Sequence, residues 1–296
     1  VLNLQDPESV RDVFLRGAKA CRIAKCRHGS IEQIHAPGRL ICTGDLHDNP
    51  THFQVLVEAA GMNAPDARDD SSSVAHLVLH EIIHPDTLVN GMDLSFRALA
   101  KVADLKARFP EHVHVLLGNH ELAQLTNATI IKDGVKNVDA FKAGLEYAFG
   151  EDKPMVEEAL HEFIRAMPLA LKCDTPKGRI LCAHSLPPPA MMQRFDPGVL
   201  SRDLTDEDYE PRKGAAYLMT WGRGYDAELL EDLVERWGVN LFVLGHEKVD
   251  EGARFIPPCA IVLNSDHARG VYLPLDLSNP PRGEDAVKLA VAFARG

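Results

Sequence analysis

The chain is short of several things, and each shortage narrows what it can be. Its six cysteines, Cys21, Cys26, Cys42, Cys173, Cys182 and Cys259, form no CxxC pair. Cys42 and Cys182 fall inside apolar, strand-like runs, where a buried free thiol is expected. That usage fits a reducing compartment, the cytoplasm. No apolar run approaches the roughly 20 residues a membrane-spanning helix needs, so no membrane partner is expected. The amino-terminal residues lack the basic and apolar regions of a secretory leader. Positive charge is scarce: 32 Lys and Arg stand against 43 Asp and Glu, a net charge of −11. This argues against nucleic-acid binding, which needs a Lys/Arg surplus. It does not forbid a phosphate substrate, because a metal ion supplies positive charge locally. Aromatics are only 6% of the residues, few for a site that stacks the bases of a dinucleotide.

What remains is ordinary globular composition over 296 residues, 45% hydrophobic and 25% charged. No repeat or linker interrupts it, so residues 1–296 read as one domain. Asp6-Pro-Glu opens a capped amphipathic helix reaching about Cys26, the main part of a helical extension over 1–38. The core, 39–275, begins with the apolar strand Leu40–Thr43 and a helix from Thr51 to Ala60. Gly61 to Ser73, rich in Asp and Ser, reads as a mobile loop. A second strand, Val74–Leu79, is followed by a helix from Asp93 to Phe109 and a third strand, Val113–Leu117. Strand and helix alternating in this way predict a parallel α/β unit. After a mostly helical middle (135–167), Ala170–Cys173 and Arg179–Ala183 flank a Pro-Lys-Gly turn and predict a hairpin. A surface excursion is expected over 195–212, then a helix (Ala227–Trp237) and three strands beginning at Leu241, Ala260 and Gly270. The tail, 276–296, reads as helical.

The strand ends repeat one chemistry. The first stops at Asp45-x-His47, the second at His80-Glu81-x-x-His84, the third at Asn119-His120. Two later strands stop at His184 and His246. In open α/β sheets ligands sit at the carboxyl ends of strands. Oxygen and imidazole donors gathered there suit a divalent Mn, Fe or Zn ion. No cysteine joins them, which argues against a structural zinc site.

Gly44-Asp45-x-His47, Gly118-Asn119-His120-Glu121, His184 and Gly245-His246, in that order, resemble the metallophosphoesterase (calcineurin-like) superfamily. The resemblance is greatest to its phosphoprotein phosphatase branch and bacterial relatives, over about 39–275. It implies a four-layer α/β fold, a central mixed β-sandwich flanked by helices. It implies two divalent metal ions, one held by Asp45, His47 and a bridging carboxylate, the other by that bridge, Asn119, His184 and His246. It also implies hydrolysis of a phosphomonoester by in-line attack of a metal-bound hydroxide, with His120 protonating the leaving group.

The second motif departs from the family's G-D-x-x-D-R-G. The bridging Asp becomes Glu81, and the Asp that orients the catalytic histidine becomes His84. Pro85 replaces the Arg, and Leu117 replaces another Arg before the Gly of the third motif. His80 and His84 are therefore possible site members, and Arg223, in Trp221-Gly-Arg-Gly224, is a candidate phosphate clamp. Two other readings stay open: a metal- or phosphate-binding relative with little turnover, and a nucleotide or dinucleotide phosphohydrolase. Candidate substrates are a phosphorylated small molecule, a nucleotide or a phosphoprotein.

Overall fold

In the computed structural model, residues 2–64, 67, 73–128, 131–132 and 135–293 are described. Most of the expected Gly61–Ser73 loop lies outside the described residues.

Two mixed sheets pack face to face. One has seven strands in the order β1 (Arg27–His28), β2 (Ile31–His35), β8 (Ala170–Thr175), β9 (Gly178–Ala183), β10 (Leu241–Leu244), β12 (Ala260–Leu263) and β11 (Ala253–Ile256). The other has five: β14 (Val291–Ala292), β13 (Val271–Asp276), β3 (Arg39–Thr43), β4 (His76–His80) and β5 (Val113–Leu116). A short hairpin, β6 (Ile131–Lys132) with β7 (Val135–Lys136), stands apart. β3, β4 and β5 run parallel, as do β9, β10 and β12. All six point their carboxyl ends at one edge of the sandwich.

Alternation along the strands builds the layers. Leu40, Cys42, Val78, Leu116, Leu171, Cys182, Val243 and Leu263 meet between the sheets. Their neighbours Ile41, Leu77, Leu79, Val115, Leu181, Phe242 and Leu244 face outward into helices. These strands are buried on both faces, which is why their sequences are nearly continuous hydrophobic runs. Of the helices, α3 (Phe96–Arg108) packs on β5 of the five-stranded sheet, and α1 (Pro7–Ile23) packs on both α3 and α6 (Lys153–Ala166). α1 begins as predicted, with the Asp6 carboxylate accepting from Ser9 N and Pro7 in the first turn. The remaining helices are α2 (Pro50–Ala59), α4 (Asn119–Thr126), α5 (Asn137–Phe149), α7 (Ala215–Trp221) and α8 (Ala227–Trp237). The expected hairpin over 170–183 is present as β8 and β9.

Both termini differ from the reading as helical appendages. Residues 27–35 supply β1 and β2, and β2 is hydrogen-bonded in parallel to β8 within the seven-stranded sheet. The tail forms a 3-10 helix over Gly283–Leu289 and then β14, which extends the five-stranded sheet through β13. The excursion over 195–212 is partly internal, since Val199 and Tyr209 are buried.

One charged network lies inside the fold, away from the strand ends. Lys106 is fully buried and donates to Glu32 Oε1 at 2.7 Å and to the carbonyls of Val113 and Pro110 at 2.7 and 2.8 Å. His114 Nδ1 occupies the other Glu32 oxygen. The network ties β2 to α3 and β5, so the amino-terminal segment is anchored by charge as well as by packing.

Candidate metal centre at the strand ends

The loops after β3 and β4 are stitched together through backbone. Leu46 N and His47 N both donate to the Glu81 carbonyl, at 3.0 and 2.9 Å, and Asp48 N donates to the Ile82 carbonyl at 2.8 Å. Glu121, at the start of α4, turns back so that its Oε1 accepts from Ile82 N at 2.7 Å. Several residues in these loops, and one after β10, have left-handed backbone: φ is 42° at His47, 56° at Asp48, 50° at Glu81, 65° at His84 and 67° at His246. Each costs about 1–3 kcal/mol for a residue with a Cβ, and such strain collects where side-chain direction matters. Here it turns the chain just past each strand, so Asp45 and His47 converge instead of pointing to opposite faces.

The glycines of the motifs make room for this. A Cβ at Gly118 would stand 2.2 Å from Glu81 Oε2 and 2.5 Å from Glu121 Oε2. A Cβ at Gly245 would stand 2.2 Å from His80 Cε1 and 2.6 Å from Asp45 Oδ1.

Two groups of donors result. Asp45, His47 and Glu81 offer ligand atoms within 4.8 Å of one another. On the other side of Glu81, His184 Nε2 lies 2.8 Å from Asn119 Oδ1, 3.1 Å from His246 Nδ1 and 3.6 Å from Glu81 Oε2. Asp45 Oδ1 accepts from His246 N at 2.9 Å, tying the two groups together.

His80 joins through His184. Its Nε2 lies 2.9 Å from the Thr43 carbonyl, which can only accept, so Nε2 carries a proton, and in the neutral ring Nδ1 is then a lone pair. That lone pair faces His184 Nδ1 at 2.9 Å. Burial, with His246 and His80 beside it, holds His184 well below the usual imidazole range, so it has one N–H to give. Given to His80, it leaves His184 Nε2 as a lone pair among Asn119, His246 and Glu81. The opposite tautomer would leave two lone pairs facing each other at 2.9 Å; this one sets the Nε2 lone pair against Asn119 Oδ1 at 2.8 Å, an approach that a cation shared by the two atoms would relieve.

The charges of the cluster fit a cation. Burial, then Glu121 and Asp45, push Glu81 well above the ordinary carboxylate range. Burial also raises Asp45, against the pull of His80 and His47. Burial and Arg223 push His246 down to about 3. Burial is the first cause of all of these shifts. A divalent ion would hold the carboxylates ionised, and it needs the imidazoles neutral, as burial already makes them. His246 Nε2 is buried without a hydrogen-bond partner, a further polar atom the protein leaves open.

His120 sits at the mouth, its side chain 13% exposed, with Nε2 3.4 Å from Glu81 Oε1 and its backbone N donating to Glu81 Oε2 at 3.3 Å. His84 lies behind it, ring centroids 5.1 Å apart. Thus Asp45, His47, His80, Glu81, Asn119, His120, His184 and His246 are all brought together. Arg223 is exposed at the rim, where Nη2 donates to the His246 carbonyl at 3.4 Å. Sequence reasoning gave no role to Thr43, Glu121 or Asp93. Of these, Glu121 carried a signal as the last residue of Gly118-Asn119-His120-Glu121, and Asp93 as an Asp two residues ahead of a Ser at a helix start.

Comparison with known proteins bears on the fold and the family. No curated protein sequence matches the chain. Among solved structures, it is similar to a protein serine/threonine phosphatase from Saccharomyces cerevisiae with similarity to human phosphatase PP5. That match has a TM-score of 0.68 at 13% identity and covers 95% of this chain and 88% of the other. The cold-active protein-tyrosine phosphatase of a psychrophilic Shewanella species matches with a TM-score of 0.55 at 13% identity, over 82% of this chain and 77% of that one. At such identities these likenesses speak for the fold alone, two mixed sheets flanked by helices. The calcineurin-like phosphoesterase family model matches residues 38–250. The chain belongs to the calcineurin-like phosphoesterases, the metal-dependent hydrolases of phosphoric esters.

Proposed function

We propose that the protein hydrolyses phosphomonoesters at a centre of two divalent ions, one held by Asp45, His47 and Glu81, the other by Glu81, Asn119, His184 and His246. The observation that carries this is the pair of donor groups sharing Glu81, one of them assembled around the His184 Nε2 lone pair. Bound divalent ions of this kind polarise phosphoryl oxygens and supply hydroxide near neutral pH. Glu81, one methylene longer than Asp, reaches the shared position because its backbone is turned into the left-handed region. His120, partly buried at the mouth, delivers a proton to the leaving oxygen. Arg223 steadies the His246 loop and offers its exposed guanidinium to a phosphate. Manganese, iron or zinc suits these nitrogen and oxygen donors.

A phosphomonoester is favoured over a dinucleotide by the few aromatics, and the substrate class includes phosphorylated side chains and small molecules. Six unbonded cysteines support a reducing compartment, the cytoplasm. Because β2 and β14 are strands of the two sheets, we read 1–296 as one working domain.

The test is hydrolysis of p-nitrophenyl phosphate with and without Mn²⁺, using His184→Ala as the blank. A metal-dependent rate well above the blank is expected. Two ions bound per chain with no ester cleaved would overturn the proposal in favour of a metal-binding relative.

A further inference from the structure

His84 is held more firmly than a loop histidine needs to be. Its side chain is 1% exposed, and Nδ1 lies 2.6 Å from Asp93 Oδ2, itself 1% exposed. The other Asp93 oxygen accepts from Ser95 N at 2.8 Å, and Ser95 Oγ accepts from His84 N at 3.1 Å. The backbone is left-handed, at φ 65°. Phe141 packs edge-on against the ring at 5.6 Å, closing one side. A carboxylate only accepts, so His84 carries a proton on Nδ1. Its Nε2 is buried and has no hydrogen-bond partner. An unsatisfied buried nitrogen costs about 1–3 kcal/mol, and a strained backbone adds to that. The second ring against it is His120, at 5.1 Å between centroids.

We propose that Asp93 and His84 form a positioning pair behind His120, with His84 Nε2 accepting from His120 Nδ1–H so that His120 Nε2 faces the substrate. This rests on the reading of His120 as the proton donor. Asp93 fixes the tautomer of His84, and His84 fixes the orientation of His120. The chain thereby regains an acid–histidine arrangement through an inserted imidazole, with the carboxylate supplied from just ahead of α3. His84 and Asp93 touch neither substrate nor metal and act only through His120.

A proton donor matters most when the leaving group is poor. In His84→Leu and in Asp93→Asn, kcat on phenyl phosphate is expected to fall about 10–100-fold, part of the 10²–10⁴-fold ascribed to a general acid. On p-nitrophenyl phosphate, whose leaving group needs little protonation, kcat should change by less than about threefold. KM and bound metal should stay unchanged. His84→Gln, which keeps an acceptor near the Nε2 position, should recover most of the loss. His84→Leu strands the buried Asp93 carboxylate, so His84→Leu/Asp93→Asn replaces it if the single variant fails to fold. An equal fall on both esters, or none, overturns the proposal.

Side-chain ¹⁵N correlation spectra of the metal-free protein provide a second readout that does not depend on turnover. His120 is expected as the Nδ1–H tautomer in the parent and as a mixture in His84→Leu. A His120 tautomer indifferent to His84→Leu overturns the pairing. If the spectra behave as expected but the parent cleaves neither ester, the phosphoesterase reading fails and the pairing stands.

Discussion

Replacing His80 by Ala tests the argument about His184 most sharply. His80 is no ligand in this account. Its Nδ1 takes the single N–H of His184, and its Nε2 is pinned to the Thr43 carbonyl at 2.9 Å. Without it, His184 is free to give that proton to Asn119 Oδ1, 2.8 Å from Nε2, which removes the lone pair an ion needs. Loss of such an outer hydrogen bond weakens metal affinity about 10–100-fold, or roughly 1.4–2.8 kcal/mol. Calorimetric titration of the metal-free protein with Mn²⁺ should show two events in the parent. In His80→Ala the event at Asn119, His184 and His246 should weaken by that factor, while the one at Asp45, His47 and Glu81 stays within about threefold. His80→Gln, retaining an acceptor, should fall between. Unchanged affinity at both sites would refute the tautomer argument. Complete loss of one ion would make His80 a ligand, as the closeness of Asp45, His80 and His184 also permits.

Three other perturbations follow from the same structure. Gly118→Ala places a Cβ 2.2 Å from Glu81 Oε2, so both metal events should weaken while the far-ultraviolet circular dichroism is unchanged. Burial alone would raise the Glu32 pKa, but Lys106 and His114 overrule it and bring it from 4.5 to about 2. That folded value lies below the unfolded one. The stabilisation, about 3 kcal/mol, is therefore present above pH 4.5 and lost as pH falls towards 2. Glu32→Gln removes this acid dependence and leaves Lys106 buried without its counter-charge, at about 3–5 kcal/mol near neutrality. Urea unfolding at neutral pH and at about pH 3 reads both effects. Arg223→Ala should raise KM for a phosphomonoester about tenfold with little change in metal affinity, and steady-state kinetics on the metal-loaded protein check it.

The site was legible because its donors are chemically unusual and lie at the ends of obvious strands. Asp45, His47, Asn119, His184 and His246 each follow an apolar run, and the sheet's edge assembles them. The supporting layer was not legible, because its pairs are set by tertiary contact. Nothing near Asp93 announces a bond to a histidine nine residues earlier, and nothing near Glu32 announces Lys106, 74 residues away. Glu32 also hid a strand. In Ile31–His35 a charged residue occupies a fully buried position, which breaks the apolar pattern unless its partners are known. The tail misled for another reason. Its charges are spaced as on a helix, but hydrogen bonding to β13 draws Val291 and Ala292 into the sheet.

The proposed centre at these strand ends is a pair of ions sharing Glu81. Anomalous diffraction from crystals soaked in Mn²⁺ tests it most directly. It should show two peaks about 3.5–4 Å apart, one among Asp45, His47 and Glu81, the other among Glu81, Asn119, His184 and His246. A peak held by Asp45, His80 and His184, or no peak at the strand ends, would contradict it.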